Sequence, residues 1–217
     1  MIKLIVLDFD GTIADTRKVV EKSIKSSLEK WGFKVNDKFL KALGNAPLKQ
    51  ILPLVIDRTM MRKFLDEKIH LIAKDFMEGE SKYAGGIKLA AHLKLLEGMK
   101  ERKVIMSNNV SSFIEEVLSN FKIKFFDGIY GADKWKNKID AFKSIMRRYN
   151  VKSNEIVYIG DRPVDVKVAR EVGCVSVAIS SKISWSSRKD LLDAGPDYLI
   201  SDLKDLKKII GKINQKK

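Results

Sequence analysis

Short apolar runs recur along the chain, and each ends in polar or acidic residues. Leu4-Ile5-Val6-Leu7 is apolar at every position, as expected of a strand buried on both faces. Similar runs stand at Val104-Ile105-Met106, Ile156-Val157-Tyr158-Ile159 and Val175-Ser176-Val177-Ala178-Ile179. Weaker ones stand at Gly128-Ile129-Tyr130 and Tyr198-Leu199-Ile200. Between them, apolar residues repeat at three and four. Examples are Leu89, Leu93 and Leu96; Phe142, Ile145, Met146 and Tyr149; and Leu206, Ile209, Ile210 and Ile213. That spacing marks helices with one buried face. Strands alternating with helices predict an α/β fold, a parallel sheet covered on both faces.

The alternation fails over residues 14–82. Val20, Ile24, Leu28 and Trp31 form a helical stripe closed by Gly32, and Leu65, Ile69, Ile72 and Phe76 form another. Pro47 starts a third helix with Leu48, Ile51 and Leu52. No strand pattern is present. The pattern predicts an all-helical insertion at 14–82 within a sheet domain of residues 1–13 and 83–217, with Gly85-Gly86 as the return hinge.

No apolar run approaches the roughly 20 residues of a membrane helix, so no membrane partner is expected. The apolar start runs into Asp8 and Asp10 rather than a small-residue cleavage site, unlike a signal peptide. Cys174 is the single cysteine of 217 residues, which excludes an internal disulfide and suits a reducing cytoplasm. With His70 and His92 the only histidines, a structural zinc site is also disfavoured.

A net charge of +14 attracts anions: phosphorylated metabolites, nucleic acid or acidic surfaces. The excess is dispersed, and no aromatic–basic interleaving of the single-strand-binding kind occurs. A solvated lysine-rich surface is therefore preferred over a nucleic-acid partner.

The chemistry lies after the strands. The first run leads into Asp8-Phe9-Asp10-Gly11-Thr12, the second into Ser107-Asn108, and the fourth into Gly160-Asp161 with Asp165 beyond. In an open parallel sheet, ligands bind outside the carboxyl ends of the strands. Asp8 and Asp10, two apart, face the same side. Four carboxylates near one point repel unless positive charge intervenes. A magnesium ion suits them, because it prefers oxygen ligands and takes one or two carboxylates. A lysine would complete the balance.

Asp8-Phe9-Asp10-Gly11-Thr12, continuing Ile13-Ala14-Asp15-Thr16, resembles the first motif of the haloacid dehalogenase superfamily. Ser107-Asn108 is similar to its second motif, a lysine near 138 to its third, and Gly160-Asp161-Arg162-Pro163-Val164-Asp165 to its fourth. The helical insertion and Tyr83-Ala84-Gly85-Gly86-Ile87 resemble the cap and its return in the phosphoglycolate phosphatase-like branch. The resemblance implies a Rossmann-like core and an Mg²⁺-dependent phosphatase on a small phosphorylated substrate. It implies Asp8 as nucleophile, Asp10 as acid and base, and Ser107, Asn108 and Thr12 around the phosphoryl oxygens. It also implies metal binding by Asp8, the main-chain carbonyl of Asp10, and Asp161, with Asp165 beside them or behind them. Asp10 further separates the subclasses: dehalogenases and phosphonatases of the superfamily lack it, so a phosphate ester is expected.

Two lysines compete for the third motif. Lys138 precedes Asp161 by 23 residues and Lys136 by 25; Lys138 is preferred. Arg162-Pro163 departs from the small polar residues common there. Trp135 and Trp185 lie in polar stretches near the expected site, and Gly44-Asn45-Ala46-Pro47-Leu48-Lys49 resembles a substrate-touching cap loop. Other esters (nucleotides, sugar phosphates, nucleic-acid ends) and a non-catalytic binding protein are the alternative readings.

Overall fold

A computed structural model gives the fold. It describes residues 1–43, 71–72, 74–76, 78–79 and 84–215, without the side chains of 38, 41 and 84. The helix from Pro47, the loop at 44–49, Leu65, Ile69, His70 and Tyr83 lie outside the described residues.

Six strands form one sheet: β1 (Leu4–Leu7), β2 (Arg102–Met106), β3 (Gly128–Tyr130), β4 (Ile156–Gly160), β5 (Val175–Ile179) and β6 (Tyr198–Ile200). Their order is β3-β2-β1-β4-β5-β6, and every pairing is parallel. The six apolar runs are these six strands. β1 is central, and its four side chains are fully enclosed. Burial of each such aliphatic side chain stabilises the fold by about 1.5–3 kcal/mol.

Alternation along each strand feeds two cores. Ile5, Leu7, Ile105, Val157, Ile159, Val177 and Ile179 share one core with Phe113, Ile114 and Val117 of α3 (Ser111–Asn120). Leu4, Val6, Val104, Met106, Ile156 and Tyr158 share the other with Ala141, Phe142 and Ile145 of α4 (Lys138–Tyr149) and Ala169 of α5 (Pro163–Val172). A short α6 (Arg188–Asp193) buries Leu191 against Ala178. The stripe of α7 (Leu206–Gln215) joins the first core through Leu206, Ile210 and Ile213.

Among the described residues, α1 (Arg17–Lys30) and α2 (Asp37–Ala42) precede β2 in the chain. Val20, Ile24 and Leu28 of α1 cluster with Phe33, Phe39, Leu43 and Ile72, apart from both sheet cores. Gly32, at φ 81°, ends α1 in the left-handed conformation that favours glycine. Residues 71–72, 74–76 and 78–79 are helical. Lys30 Nζ and Trp31 Nε1 both donate to Asp75 at 2.7 Å, which ties α1 to that helix.

One predicted helix is corrected. Leu89, Leu93 and Leu96 do not lie on a core α-helix. Residue 89 bridges Ala14 in extended form, and only Leu93–Leu96 coil, as a short 3-10 turn. His92 precedes that turn in the left-handed region and pairs with Asp202 at 2.9 Å. Leu93 and Leu96 are buried all the same, and that burial is what the spacing reported. Among the described residues no helix is long and apolar enough to cross a membrane.

Candidate active site

The chain turns sharply as it leaves β1. Phe9 O accepts from Ile13 N at 2.9 Å and from Ala14 N at 3.1 Å, and Gly11 N donates to Ala14 O at 2.9 Å. Gly11 has φ +76°, and a Cβ there would strike the Asp161 carboxylate and the Trp185 ring. Only glycine meets both demands.

Asp8 continues the alternation of Leu4 and Val6, so it faces the α4 side of the sheet. There Lys138 stands at the first position of α4. Asn137 caps that helix, its side chain accepting from Asp140 N at 2.9 Å. An ammonium is disfavoured at a helix start, but here it meets carboxylates. Lys138 Nζ lies 2.9 Å from Asp8 Oδ1 and 2.7 Å from Asp165 Oδ1. It also donates to the Tyr158 hydroxyl at 2.7 Å. Of the two candidate lysines, Lys138 is the one in contact with Asp8; Lys136 is exposed.

Asp161 directly follows β4 and is wholly buried. Its carboxylate accepts from Trp185 N at 2.5 Å and from Thr12 Oγ1 at 3.3 Å. Asp165, in the first turn of α5, accepts from Tyr158 at 2.7 Å and from Arg162 N at 3.1 Å. Asp8, Asp161 and Asp165 each offer an oxygen within 4.8 Å of the others. The Asp10 carboxylate points to a different set: Thr16 Oγ1 at 2.6 Å, Ser107 Oγ at 3.1 Å and Asn109 Nδ2 at 3.4 Å. Ser107 is fixed in turn, its N donating to Tyr130 O and its Oγ accepting from Asn109 N, both at 3.0 Å. Asn108 lines a small cavity with Ser107, Trp135 and Lys138.

Electrostatics follow from this crowding. Burial pushes the Asp8 carboxyl up to about 7; Lys138 opposes the rise, and Asp165 and Asp10 add to it. Burial, then Asp8 and Asp165, hold Asp161 well above the ordinary carboxylate range. Asp10 is raised by loss of water, against its bonds from Thr16, Asn109 and Ser107. Burial works against the Lys138 charge, but Asp165 and Asp8 overcome it and hold the ammonium above the usual lysine range. Among the described residues, the Lys138 ammonium and the Arg162 guanidinium face four carboxylates, which leaves the site short of positive charge.

Asp8, Lys138, Asp161, Asp165 and Thr12 thus come together, with Ser107 joined to them through Asp10. The sequence reading did not single out Tyr158, Asn109 or the role of Thr16 as a partner of Asp10. Asn109 follows Ser107-Asn108 directly, so its position was available as a signal. Trp185 does stand by the site, with its backbone on Asp161 and its ring against the α1–α2 cluster. Arg162 lies over that ring at 5.2 Å and donates to the Leu43 carbonyl. Trp135 stacks on Tyr130 at 5.8 Å. Cys174 is buried in the α4-side core, which pushes its thiol up to about 12.

The chain is similar to known proteins. Residues 5–179 match the family model described as haloacid dehalogenase-like hydrolase. A candidate pyrophosphatase, PpaX, of Caldanaerobacter subterraneus subsp. tengcongensis is 28% identical, over 96% of this chain and 94% of that one. A phosphoglycolate phosphatase of Vibrio parahaemolyticus is 22% identical, over 97% and 96%. A solved haloacid dehalogenase-like hydrolase from Streptococcus pneumoniae superposes with a TM-score of 0.77 at 20% identity, covering 96% of this chain and 98% of its own. The carboxylate cluster at the carboxyl edge of a six-stranded parallel sheet, and a family match over most of the chain, lead to one conclusion: this chain belongs to the haloacid dehalogenase-like hydrolase family, as a hydrolase of the phosphatase kind.

Proposed function

We propose that the protein is a magnesium-dependent phosphomonoesterase working through an aspartyl phosphate on Asp8, with a small phosphorylated metabolite as substrate. The observation that carries this reading is the buried 2.9 Å ion pair of Lys138 with Asp8 beside Asp161 and Asp165. In this mechanism an Asp8 oxygen attacks phosphorus and the bond to the leaving oxygen breaks. Asp10 gives that oxygen its proton, then takes one from the water that hydrolyses the acyl phosphate. The raised carboxyl of Asp10, held by Thr16, Ser107 and Asn109, suits a group that must first donate. Ser107, Thr12 and Asn108 supply polar groups for the phosphoryl oxygens, and Lys138 offsets the charge that develops there.

The donors fit magnesium. They are hard oxygens, they are buried, and burial first, then the neighbouring carboxylates, raises Asp8 and Asp161. Asp165 already accepts from Lys138, Tyr158 and Arg162, which suits a supporting place behind Asp8, Asp161 and the Asp10 carbonyl. A cation held there would neutralise phosphoryl charge.

The same reading divides the chain into a catalytic sheet domain (1–13 and 83–217) and a helical cap (14–82). In support, Asp15 N donates to Lys88 O and Ala90 N to Ile13 O, both at 2.8 Å, so the outgoing and returning segments lie side by side. A phosphoglycolate-like ester is the first substrate to try, because relatives of that name align over nearly the whole chain. Pyrophosphate, sugar phosphates, nucleotides and nucleic-acid ends complete the panel. A cytoplasmic setting suits the single buried cysteine.

The test is phosphate release from p-nitrophenyl phosphate. Activity is expected with magnesium, loss of it with EDTA, and recovery when magnesium is restored. Calcium should restore it poorly, because it accepts more ligands in looser geometry. Full turnover in a thoroughly chelated sample would refute the metal-dependent reading.

A further inference from the structure

Among the described residues Tyr158 is the largest side chain enclosed by the protein, yet it ends in a hydroxyl. It projects from β4 into the core that contains α4, with its ring edge-on to Phe142 at 5.2 Å between centroids. A buried phenol needs partners, and this one has two. It accepts from Lys138 Nζ and donates to Asp165 Oδ1, both at 2.7 Å. Lys138 also donates to Asp165 Oδ1 at 2.7 Å, so lysine, tyrosine and aspartate close a triangle. The remaining ammonium proton goes to Asp8 Oδ1 at 2.9 Å.

The donor count is complete. An ammonium carries three protons, and Asp8, Asp165 and Tyr158 take one each. With two acceptors, Nζ could slide toward Asp165, where the contact is shorter. With three, it moves only by breaking a bond to a buried group. We propose that Tyr158 is a positioning residue for the reaction: it acts through Lys138 to hold the ammonium against the attacking oxygen of Asp8. Tyr158 is neutral, because burial followed by the negative charge of Asp165 and Asp8 keeps its phenol well above the ordinary range. What it contributes is therefore direction rather than charge. This inference rests on the phosphatase reading above.

The experiment compares Tyr158→Phe with the parent on p-nitrophenyl phosphate plus magnesium. Phenylalanine keeps the ring, its volume and its contact with Phe142. Loss of one acceptor from a buried ammonium should lower kcat by roughly tenfold to a hundredfold, with KM changed less than about twofold because ground-state binding is untouched. In a Lys138→Met background the same substitution should have no further effect on the residual rate, because the group it acts through is gone. A kcat near the parent value in Tyr158→Phe overturns the proposal. So does a loss that persists in full without Lys138, which is the signature of a merely structural role. If the double variant does not fold, the kcat and KM of the single variant decide alone. Asp8→Asn is run in parallel: turnover there overturns the aspartyl-phosphate reading and this inference with it. An inert Asp8→Asn beside a fully active Tyr158→Phe overturns this inference only.

Discussion

Asp8→Asn is expected to lose essentially all turnover, a fall of about 10⁴-fold or more, the scale seen when the nucleophile of a covalent mechanism is removed. An amide has the shape of the carboxylate but no anionic oxygen with which to attack phosphorus. The fold should survive. Asp8 sits in a crowded, buried carboxylate cluster, and its carboxyl is pushed up to about 7. A carboxylate raised in the folded state binds protons more readily folded than unfolded, so stability falls as pH climbs from about 4 toward 7. The uncharged amide removes that loss. In metal-free buffer the variant should therefore melt at or above the parent temperature, by a wider margin at pH 8 than at pH 5. Phosphate release and thermal melts at the two pH values check both halves. Substantial turnover in an undeamidated Asp8→Asn sample would end the nucleophile assignment.

Lys138→Met should be nearly as damaging to rate, and unlike Asp8→Asn it should also destabilise. It removes the ammonium in contact with Asp8 and Asp165. Breaking a buried pair from one side costs about 3–5 kcal/mol, because the partner charge stays behind. Lys136→Ala, two residues away but exposed, should keep near-parent rate and melting temperature. The contrast is sharp because one buried position cannot be shared by two lysines. Collapse in Lys136→Ala with normal turnover in Lys138→Met would reverse the assignment.

The sheet was legible because its strands are buried on both faces: nothing but a short apolar run satisfies such a site, and all six runs became strands. The carboxylates were legible because each follows a strand at one edge. The segment from Leu89 to Leu96 misled because two adjacent conformations mimic one period. An extended bridge at Leu89 followed by a 3-10 turn buries Leu93 and Leu96 as a helix would. The choice between Lys136 and Lys138 had a local clue. Asn137 followed three residues later by Asp140 reads as a helix cap, which makes Lys138 the first helical residue, aimed at the strand edge. Tyr158 carried no clue, because an apolar strand run disguises a tyrosine whose hydroxyl meets partners from two other elements. The partners of Asp10 were hidden for the same reason: Ser107 reaches it from 97 residues along the chain.

The central place of β1 has a cost during synthesis. Leu4 pairs with Arg102 on one side and Ile156 on the other, so β1 has no neighbour until synthesis reaches Arg102 and lacks its second until it reaches Ile156. At about 5–20 residues per second, its four enclosed apolar residues wait on the order of ten seconds for both partners. Pairings so distant in sequence also slow the search that follows. A ribosome-bound fragment that stops before β4 should therefore be readily cut by protease and captured by chaperones, whereas chains carried past residue 200 become resistant together.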